Sequence, residues 1–209
     1  MITRRRFHGL AAGALGVLAG VGGAGAVEHR YEPLVVDEGF YTWDWFLSSF
    51  FELADDLETA TAGGKRLAIL WEQDGCPYCR EMHLVNFRIP KIVDYIRANF
   101  NIIQLNMWGD REVVDVDGEV VSEKELARKY RIQFTPTLQF FPKQLAADNT
   151  LPGDDIEVWR LLGYWKPFHF LSTFIYVAEE GYIEEPNFQR FIQARGDKLR
   201  AEGKDVVIW

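Results

Sequence analysis

The sequence predicts an α/β protein with a central mixed β-sheet and helices on both faces. Two short apolar segments, residues 67–71 and 101–107, have the composition of strands that are buried on both faces. Helical patterns precede and separate them, so helices and strands alternate along the chain. Both cysteines, Cys76 and Cys79, come directly after the first of these strands and open a helix. An N-terminal helix, a β-hairpin insert and an extra C-terminal helix complete the predicted fold.

The composition indicates one globular domain. The chain has 209 residues, of which 48% are hydrophobic, and this is enough for one core with little room for a second. Charged residues make up 26% and no stretch is of low complexity, so extended disorder is not expected. The formal net charge of −8 gives no indication of nucleic-acid binding. Two cysteines admit one disulfide at most, which is too few for a disulfide-stapled scaffold.

The first 26 residues have the pattern of an export signal. Thr3-Arg4-Arg5-Arg6-Phe7 resembles the twin-arginine motif, and a weakly apolar run from Gly9 to Gly23 follows it. Ala24-Gly25-Ala26 is a small-residue cleavage site. We therefore expect residues 1–26 to be a twin-arginine signal peptide and the protein to be periplasmic. A basic tail and an uncleaved membrane anchor are the alternatives, although the run is short and rich in glycine for a membrane span.

The predicted domain covers residues 27–209, with its core at about 41–180. Apolar residues at three- and four-residue spacing predict a helix over 41–61 with one broad buried face. After the first strand and the two cysteines, a helical pattern runs from residue 80 to residue 99 and is broken at Pro90. This β-α-β order favours a parallel pair of strands with a right-handed crossover.

A small β-hairpin is predicted within residues 108–121, where valines alternate on both sides of Asp117-Gly118, a favoured hairpin turn. A calcium loop is the alternative for these acidic residues, but the spaced acidic series of an EF-hand is missing. Ser122-Glu123-Lys124-Glu125 has the pattern of a capping box and predicts a helix start. The remaining predicted elements are a strand over 138–141, a turn-rich loop over 142–155, a strand over 156–162, and helices over 168–179 and 187–200.

The segment Gly75-Cys76-Pro77-Tyr78-Cys79 has the pattern of a redox-active cysteine pair at a helix start. The thiolate is the reactive form of cysteine, and the N-terminus of a helix stabilises an anion. Proline suits the first helical turn because its missing N–H would have no partner there. The spacing places the two Cα atoms about 5–6 Å apart, within disulfide range. We expect Cys76 to be the exposed attacking thiolate, Cys79 to be the more buried resolving thiol, and Gly75 to leave room for a partner's backbone.

Two other interpretations of the cysteines are open. Cys76, Cys79 and His83 have a C-x₂-C-x₃-H spacing, but a closed zinc site needs a fourth ligand, such as His169 or an acidic residue. The cysteines are alternatively two buried structural thiols, although a glycine and proline turn at a strand end is a poor place to bury them. Our prediction contains no metal. We expect His83 to be a surface or half-buried helix residue, and a role in tuning the two thiols is the alternative.

The apolar strand, the C-P-Y-C segment at a helix start and Thr135-Pro136 before a later strand together resemble the thioredoxin fold. The resemblance implies that the Thr135–Pro136 peptide bond is cis and faces the cysteine pair, with Thr135 against the backbone of the substrate. We therefore assign catalysis and the redox-active disulfide to Cys76 and Cys79. We assign substrate binding to Gly75, Pro77, Tyr78, Thr135 and Pro136.

A longer set of segments resembles the SoxW group, exported thioredoxins that are linked with bacterial sulfur-oxidation (Sox) systems. These segments are residues 71–79, 82–83, 94–96, 106–110, 123–127 and 163–170. The resemblance implies a periplasmic disulfide reductase that takes electrons from a membrane thiol carrier of the CcdA/SoxV type. The implied protein substrates are Sox proteins, such as the sulfur carrier SoxY, or cytochrome-maturation thiols. Thiol–disulfide exchange transfers two electrons without a bound cofactor, and none is expected.

The sequence departs from common thioredoxins at the position that would receive a proton. Thioredoxins bury an aspartate six residues before the first cysteine, and this position is Leu70. Glu72 and Asp74 are the candidates for the proton acceptor of Cys79, unless both are solvated loop carboxylates. In addition, Pro-Tyr between the cysteines is the dipeptide of glutaredoxins, whereas common thioredoxins have Gly-Pro.

These observations predict a periplasmic thiol–disulfide oxidoreductase that works as a dithiol reductase. A DsbA-like oxidant uses the same chemistry in the opposite direction, and the redox potential separates the two. A metal-binding or copper-delivery module that uses Cys76, Cys79 and His83 is the alternative from another class. A glutathione-dependent glutaredoxin is less expected, because the periplasm is poor in glutathione.

Overall fold

The computed structural model describes residues 31–35, 40–146, 148–204 and 206. The strands are β1 (Leu34–Val35), β2 (Tyr41–Thr42), β3 (Arg66–Glu72), β4 (Phe100–Asn106), β5 (Glu112–Val114), β6 (Val120–Ser122), β7 (Thr137–Phe140) and β8 (Trp159–Leu162). The helices are α1 (Leu53–Ala62), α2 (Pro77–Leu84), α3 (Pro90–Asn99), α4 (Glu123–Lys129), α5 (Gly153–Ile156), α6 (Pro167–Ala178), α7 (Gly181–Glu184) and α8 (Phe188–Ala201), and a 3₁₀ turn covers Asn86–Arg88.

The central sheet has the strand order β4-β3-β7-β8. β3 pairs in parallel with β4, with Ile69 opposite Ile103, and the chain between them runs through α2 and α3. β7 pairs antiparallel with both β3 and β8, so the sheet is mixed. Every residue of β3 is buried, as expected for a central strand that is covered on both faces. The predicted α/β fold, with its mixed sheet and its β-α-β parallel pair, is confirmed.

Each face of the sheet packs against its own helices. Successive side chains of a strand point to opposite faces. Leu70 therefore packs with residues of α3 and α6, whereas Ile69 packs with residues of α1 and α4. On the face of the sheet that Leu70 covers, Phe100, Phe140 and Phe174 pack edge to face, with ring centroids 5.1 to 5.7 Å apart. Such aromatic pairs contribute about 0.5–1.5 kcal/mol each beyond the area they bury.

The N-terminal helix is shorter than the sequence predicts. The apolar spacing predicts a helix over 41–61, but α1 begins only at Leu53, and Tyr41–Thr42 forms β2. The segment between them is irregular, because the N–H of Leu47 bonds the carbonyl of Ile102 in β4 at 2.8 Å instead of a helical neighbour. Phe51 has a φ of 64°, which interrupts any right-handed helix. Contacts with distant parts of the chain therefore override the helical spacing of the apolar residues in this segment.

The predicted hairpin insert is confirmed. β5 and β6 pair antiparallel, with Val113 opposite Val121, and Gly118 has a φ of 87° in the predicted turn. At the start of α4 the carboxylate of Glu125 accepts a hydrogen bond from the backbone N–H of Ser122 at 2.9 Å. This contact belongs to the predicted capping box, which is also confirmed.

A fully buried carboxylate ties the hairpin to the rest of the protein. Asp115 Oδ1 accepts hydrogen bonds from the Tyr130 hydroxyl and from the backbone N–H groups of Val116 at 2.7 Å and Gly153 at 3.2 Å. Lys129 Nζ lies 2.6 Å from Asp115 Oδ2. Burial raises the pKa of Tyr130 and the charge of Asp115 raises it further, so the phenol keeps its proton and donates it. The hairpin, α4 and α5 therefore meet at one carboxylate.

The side chain of Lys129 contacts the acidic residues of the hairpin turn, for which a calcium loop was the alternative interpretation. Its ammonium group lies 2.6 to 2.9 Å from the carboxylates of Asp115, Asp117 and Glu119. Burial alone would lower the pKa of Lys129, but these carboxylates raise it above its ordinary value. A cation of the chain itself therefore balances this acidic cluster.

The remaining boundaries differ from the predictions by a few residues. Residues 153–156, predicted as the end of a loop and the start of a strand, form α5, and β8 begins at Trp159. The C-terminal helix predicted over 187–200 is α8. The predicted signal peptide over 1–26 lies outside the described residues. Within the described ranges, no helix has the length and apolar character that a membrane span requires.

Candidate active site

The two cysteines form a disulfide where β3 ends and α2 begins. Their Cα atoms are 5.3 Å apart, inside the range that the spacing predicts. Cys76 is the N-cap residue of α2 and has an extended backbone, and Pro77 occupies the first helical position. This arrangement follows from the sequence, because a buried strand must turn sharply before the helix and Gly75 supplies the turn with a φ of 69°.

The sulfur of Cys76 lies among backbone donors. Its Sγ accepts a hydrogen bond from the N–H of Cys79 at 3.1 Å. The carbonyl of Cys76 accepts from the N–H of Arg80 at 3.1 Å, which begins the helical bonding. The free N–H groups and the positive end of the helix dipole favour negative charge on this sulfur once the disulfide is reduced. The geometry suits Cys76 as the thiolate of the pair.

Both cysteines are largely buried. Cys76 is 9% exposed and Cys79 is 5% exposed. The prediction of an exposed Cys76 is therefore wrong, although Cys79 is the more buried of the two, as expected. The physical reason is the neighbouring loop, since the Thr135 carbonyl lies 3.6 Å from the Cys76 sulfur and covers it.

The loop before β7 brings Thr135 and Pro136 against the cysteine pair, as the resemblance implies. The Thr135–Pro136 peptide bond is cis. The Thr135 hydroxyl donates a hydrogen bond to Cys76 Sγ at 3.3 Å, although 59 residues separate them in the chain. The carbonyl of Pro136 accepts from the N–H of Gly163 at 2.8 Å, which fixes the loop to the end of β8. The backbone of the Thr135–Pro136 loop therefore lies beside the sulfur of Cys76.

Exposed aromatic side chains lie around the disulfide. Tyr78, between the cysteines, and Phe134, next to Thr135, are both exposed. Trp108 is 61% exposed, and its indole N–H donates to Gln73 Oε1 at 2.8 Å, which holds it beside the cleft described below. Sequence reasoning assigned Tyr78 but missed Trp108 and Phe134 as site residues. The signals for Trp108 were its place at the start of the hairpin insert and in the segment 106–110 that resembles the SoxW group.

The two carboxylates before the cysteines have different surroundings. Leu70, at the position where thioredoxins have an aspartate, is fully buried in the apolar core. Asp74 is exposed on the turn that leads to Cys76. Glu72, the last residue of β3, is only 1% exposed. Of the two candidates for a proton acceptor, Asp74 is thus a solvated loop carboxylate and Glu72 is not.

A network of hydrogen bonds surrounds the buried Glu72. His83 Nε2 lies 3.0 Å from each of its carboxylate oxygens, and the side-chain amide of Gln104 donates to Oε2. The indole N–H of Trp43 donates to His83 Nδ1 at 2.8 Å. His83 is 1% exposed, so the prediction of a surface or half-buried histidine is wrong. The helical position of His83 gave no signal for this, because its partners come from β3 and from the irregular segment before α1.

A cleft of about 330 Å³ connects this network with the disulfide. Glu72 and His83 line this cleft together with Cys76 and Cys79. The remaining lining residues are Phe40, Tyr41, Gln73, Asp74, Gly75, Pro77 and Arg80. A water molecule takes about 30 Å³ in the liquid, so the cleft has room for several.

The residues of the alternative metal site are engaged elsewhere. Both ring nitrogens of His83 have hydrogen-bond partners, Trp43 and Glu72. His169 does not line the cleft, and burial lowers its pKa. In the part of the chain that the structure describes, no group of three His, Cys, Asp or Glu side chains is arranged to hold a metal ion.

Comparison with known proteins finds one family model and several similar structures. Residues 53–153 match the family model of a thioredoxin-like domain. The chain is similar to a thioredoxin-fold protein from Helicobacter pylori, with 20% identity and a TM-score of 0.49 over 64% of this chain and 86% of the other. It is also similar to a thioredoxin from Thermus thermophilus, with 24% identity and a TM-score of 0.48 over 65% and 91% of the two chains.

A third similar structure is the C-terminal domain of Neisseria meningitidis DsbD in the oxidised form. The identity is 15% and the TM-score 0.39, over 62% of this chain and 99% of that domain. Comparison with curated protein sequences gives no significant match.

Proposed function

We propose that the protein is a periplasmic disulfide reductase, on the basis of its thioredoxin fold and of the match of residues 53–153 to the family model of a thioredoxin-like domain. The observation that carries this proposal is the Cys76–Cys79 disulfide at the start of α2, with the Thr135–Pro136 loop against its sulfur. A fold alone does not define a reaction. A cysteine pair that is joined at a helix N-terminus and opens onto a cleft is a site for thiol–disulfide exchange.

The reaction has two balanced steps. The thiolate of Cys76 attacks one sulfur of a substrate disulfide, so a mixed disulfide forms and the other substrate sulfur leaves as a thiolate. Cys79 then loses its proton and attacks the Cys76 sulfur, so the Cys76–Cys79 bond forms and the second substrate thiolate leaves. The substrate disulfide gains two electrons and the cysteine pair loses them. A dithiol donor must reduce the pair again before the next cycle.

The residues around Cys76 fit an extended polypeptide substrate. The Thr135 and Pro136 backbone lies beside the sulfur and offers an edge to a substrate strand. Gly75, exposed and without a side chain, leaves space on the other side of the turn, and the exposed Pro77 and Tyr78 add apolar surface. These five residues form the proposed substrate-binding surface.

The proposed compartment and partners rest on the resemblance to the SoxW group. A twin-arginine signal over residues 1–26 would carry the folded domain to the periplasm. There a membrane thiol carrier of the CcdA/SoxV type would supply electrons, and Sox proteins such as the sulfur carrier, or cytochrome-maturation thiols, would receive them. N-terminal sequencing of the exported protein tests cleavage after Ala26, and an unprocessed N-terminus on exported protein would contradict it.

We expect the redox potential of the Cys76–Cys79 pair to be close to that of a reductase, about −270 mV, rather than that of an oxidant, about −120 mV. Equilibration of the protein with glutathione or dithiothreitol buffers of known ratio, followed by thiol alkylation, measures it. A potential near that of an oxidant, about −120 mV, together with poor insulin reduction, would instead identify a DsbA-like oxidant.

We expect Trp108→Ala to raise KM for a protein disulfide such as insulin several-fold, with little change in the rate for a small disulfide such as cystine. The reason is that Trp108 offers apolar contact area beside the cleft without touching the cysteines. Phe50→Ala is the matched control, because Phe50 is 95% exposed and lines a different pocket, with Glu52 and Asp55. Equal effects of the two changes would exclude a specific role for Trp108.

A further inference from the structure

The resolving step of the proposed reaction needs a proton acceptor near Cys79. A thiol attacks a disulfide only as the thiolate, so Cys79 must lose its proton before it can release the substrate. The helix N-terminus favours the thiolate of Cys76, the capping residue, more than that of a residue further along the helix. Glu72 lines the same cleft as Cys79 and is a buried carboxylate.

The protonation of the network around Glu72 follows from its donors. An indole N–H can only donate, so Nδ1 of His83 accepts the bond from Trp43 and carries no hydrogen. The ring hydrogen of His83 is therefore on Nε2 and points to the Glu72 carboxylate. The Gln104 amide also donates to this carboxylate. Glu72 meets only donors in this network, which is the environment of an ionised carboxylate, and His83 is the neutral imidazole.

The two oxygens of Glu72 are not equivalent. Oε2 accepts from the Gln104 amide and shares the His83 N–H, whereas Oε1 has only its share of the His83 N–H. A carboxylate oxygen has two lone pairs, so Oε1 keeps free acceptor capacity. The orientation of the carboxylate, and hence the direction of this oxygen, is set by His83 together with Gln104, and His83 is in turn held by Trp43.

We propose that Glu72 receives the proton of Cys79 through the cleft and that His83, fixed by Trp43 as the neutral Nε2–H tautomer, is the positioning residue that orients Glu72 for this transfer. The inference rests on the proposed thiol–disulfide exchange. The proton leaves Cys79 Sγ through water in the cleft and binds Glu72 Oε1. The Cys79 thiolate then attacks Cys76 Sγ, the Sγ–Sγ bond forms, and the bond from Cys76 to the substrate sulfur breaks with loss of a thiolate.

An aromatic disulfide such as dithiobis(nitrobenzoate) tests the proposal, because the reduced full-length protein releases two coloured thiolates from it in sequence. The first release reports the attack of Cys76, and the second reports the resolution by Cys79. Stopped-flow absorbance separates the two rates. We expect Glu72→Gln to slow the second release by about a hundred-fold, the scale of a lost general base, with the first release unchanged.

His83→Asn and His83→Gln form a matched pair for the positioning role. The amide of the His83→Asn variant reaches only as far as Nδ1, so it keeps a partner for Trp43 but loses the bond to Glu72. The amide of the His83→Gln variant reaches as far as Nε2 and keeps that bond. We expect His83→Asn to slow the second release by at least about ten-fold, because Glu72 is misplaced, and His83→Gln to stay close to the wild-type rate.

Thermal unfolding of both His83 variants shows whether a difference in stability explains a difference in rate. A purely structural role of His83 predicts that His83→Asn and His83→Gln slow the second release equally, and this result would overturn the inference. Two other results would overturn it as well. One is an effect of these changes on the first release instead of the second, and the other is a wild-type rate of the second release in Glu72→Gln. Failure of the wild-type protein to release either thiolate would contradict the proposed function itself.

Discussion

Cys76→Ser is expected to reduce insulin reduction to the uncatalysed background. Cys76 is the N-cap residue of α2, and its sulfur contacts Thr135, so the helix N-terminus favours this sulfur as the attacking thiolate. A serine hydroxyl keeps the capping hydrogen bond to the N–H of residue 79, so the fold is preserved. A dithiothreitol-driven insulin precipitation assay measures the loss, and circular dichroism checks the fold.

Cys79→Ser is the control that separates the roles of the two cysteines. Without the resolving thiol, the Cys76 mixed disulfide with a partner persists, so covalent complexes are expected on non-reducing gels of whole cells. Mass spectrometry of these complexes identifies the partners. Trapping by Cys76→Ser rather than by Cys79→Ser would reverse the assignment of attacking and resolving sulfur.

Asp115→Ala is expected to lower the free energy of unfolding by about 4 kcal/mol, the largest effect on stability among the polar residues considered. The change leaves the Tyr130 hydroxyl and the Gly153 N–H without their buried acceptor and removes a carboxylate from Lys129. Breaking a buried ion pair by removal of one partner costs about 3–5 kcal/mol. Urea unfolding at neutral pH measures the change.

Asp117→Ala is the matched control, because Asp117 contacts the same ammonium group from a more exposed position. Surface ion pairs contribute about 0–1 kcal/mol, so the expected loss is small. Equal losses of stability in the two variants would show that burial of Asp115 does not matter.

The raised pKa of Lys129 gives the stability of the protein a dependence on pH. The stabilisation from protonated Lys129 is fully present at neutral pH and is lost as pH rises through the raised pKa.

The sheet, the hairpin and the start of α2 could be predicted because each depends on local sequence. An unbroken apolar run such as 67–71 must be buried on both faces, and Asp117-Gly118 favours one type of turn wherever it occurs. The helix predicted over 41–61 failed for the opposite reason. Its aromatic spacing fits a helix, but Trp43 and Leu47 make their hydrogen bonds to distant elements instead.

The sequence by itself determined that the two cysteines can pair, because two cysteines with a C-x₂-C spacing at a helix start need only one turn of chain to come within disulfide range. It also identified the Thr135–Pro136 loop, through the family pattern. Only the tertiary structure showed that Glu72 is buried and Asp74 is exposed, because the burial of a carboxylate depends on what other elements place over it. Glu72 is an acceptor candidate since α2 brings His83, β4 brings Gln104 and the segment before α1 brings Trp43. Contacts over 11 to 40 residues have no local signal in a single sequence.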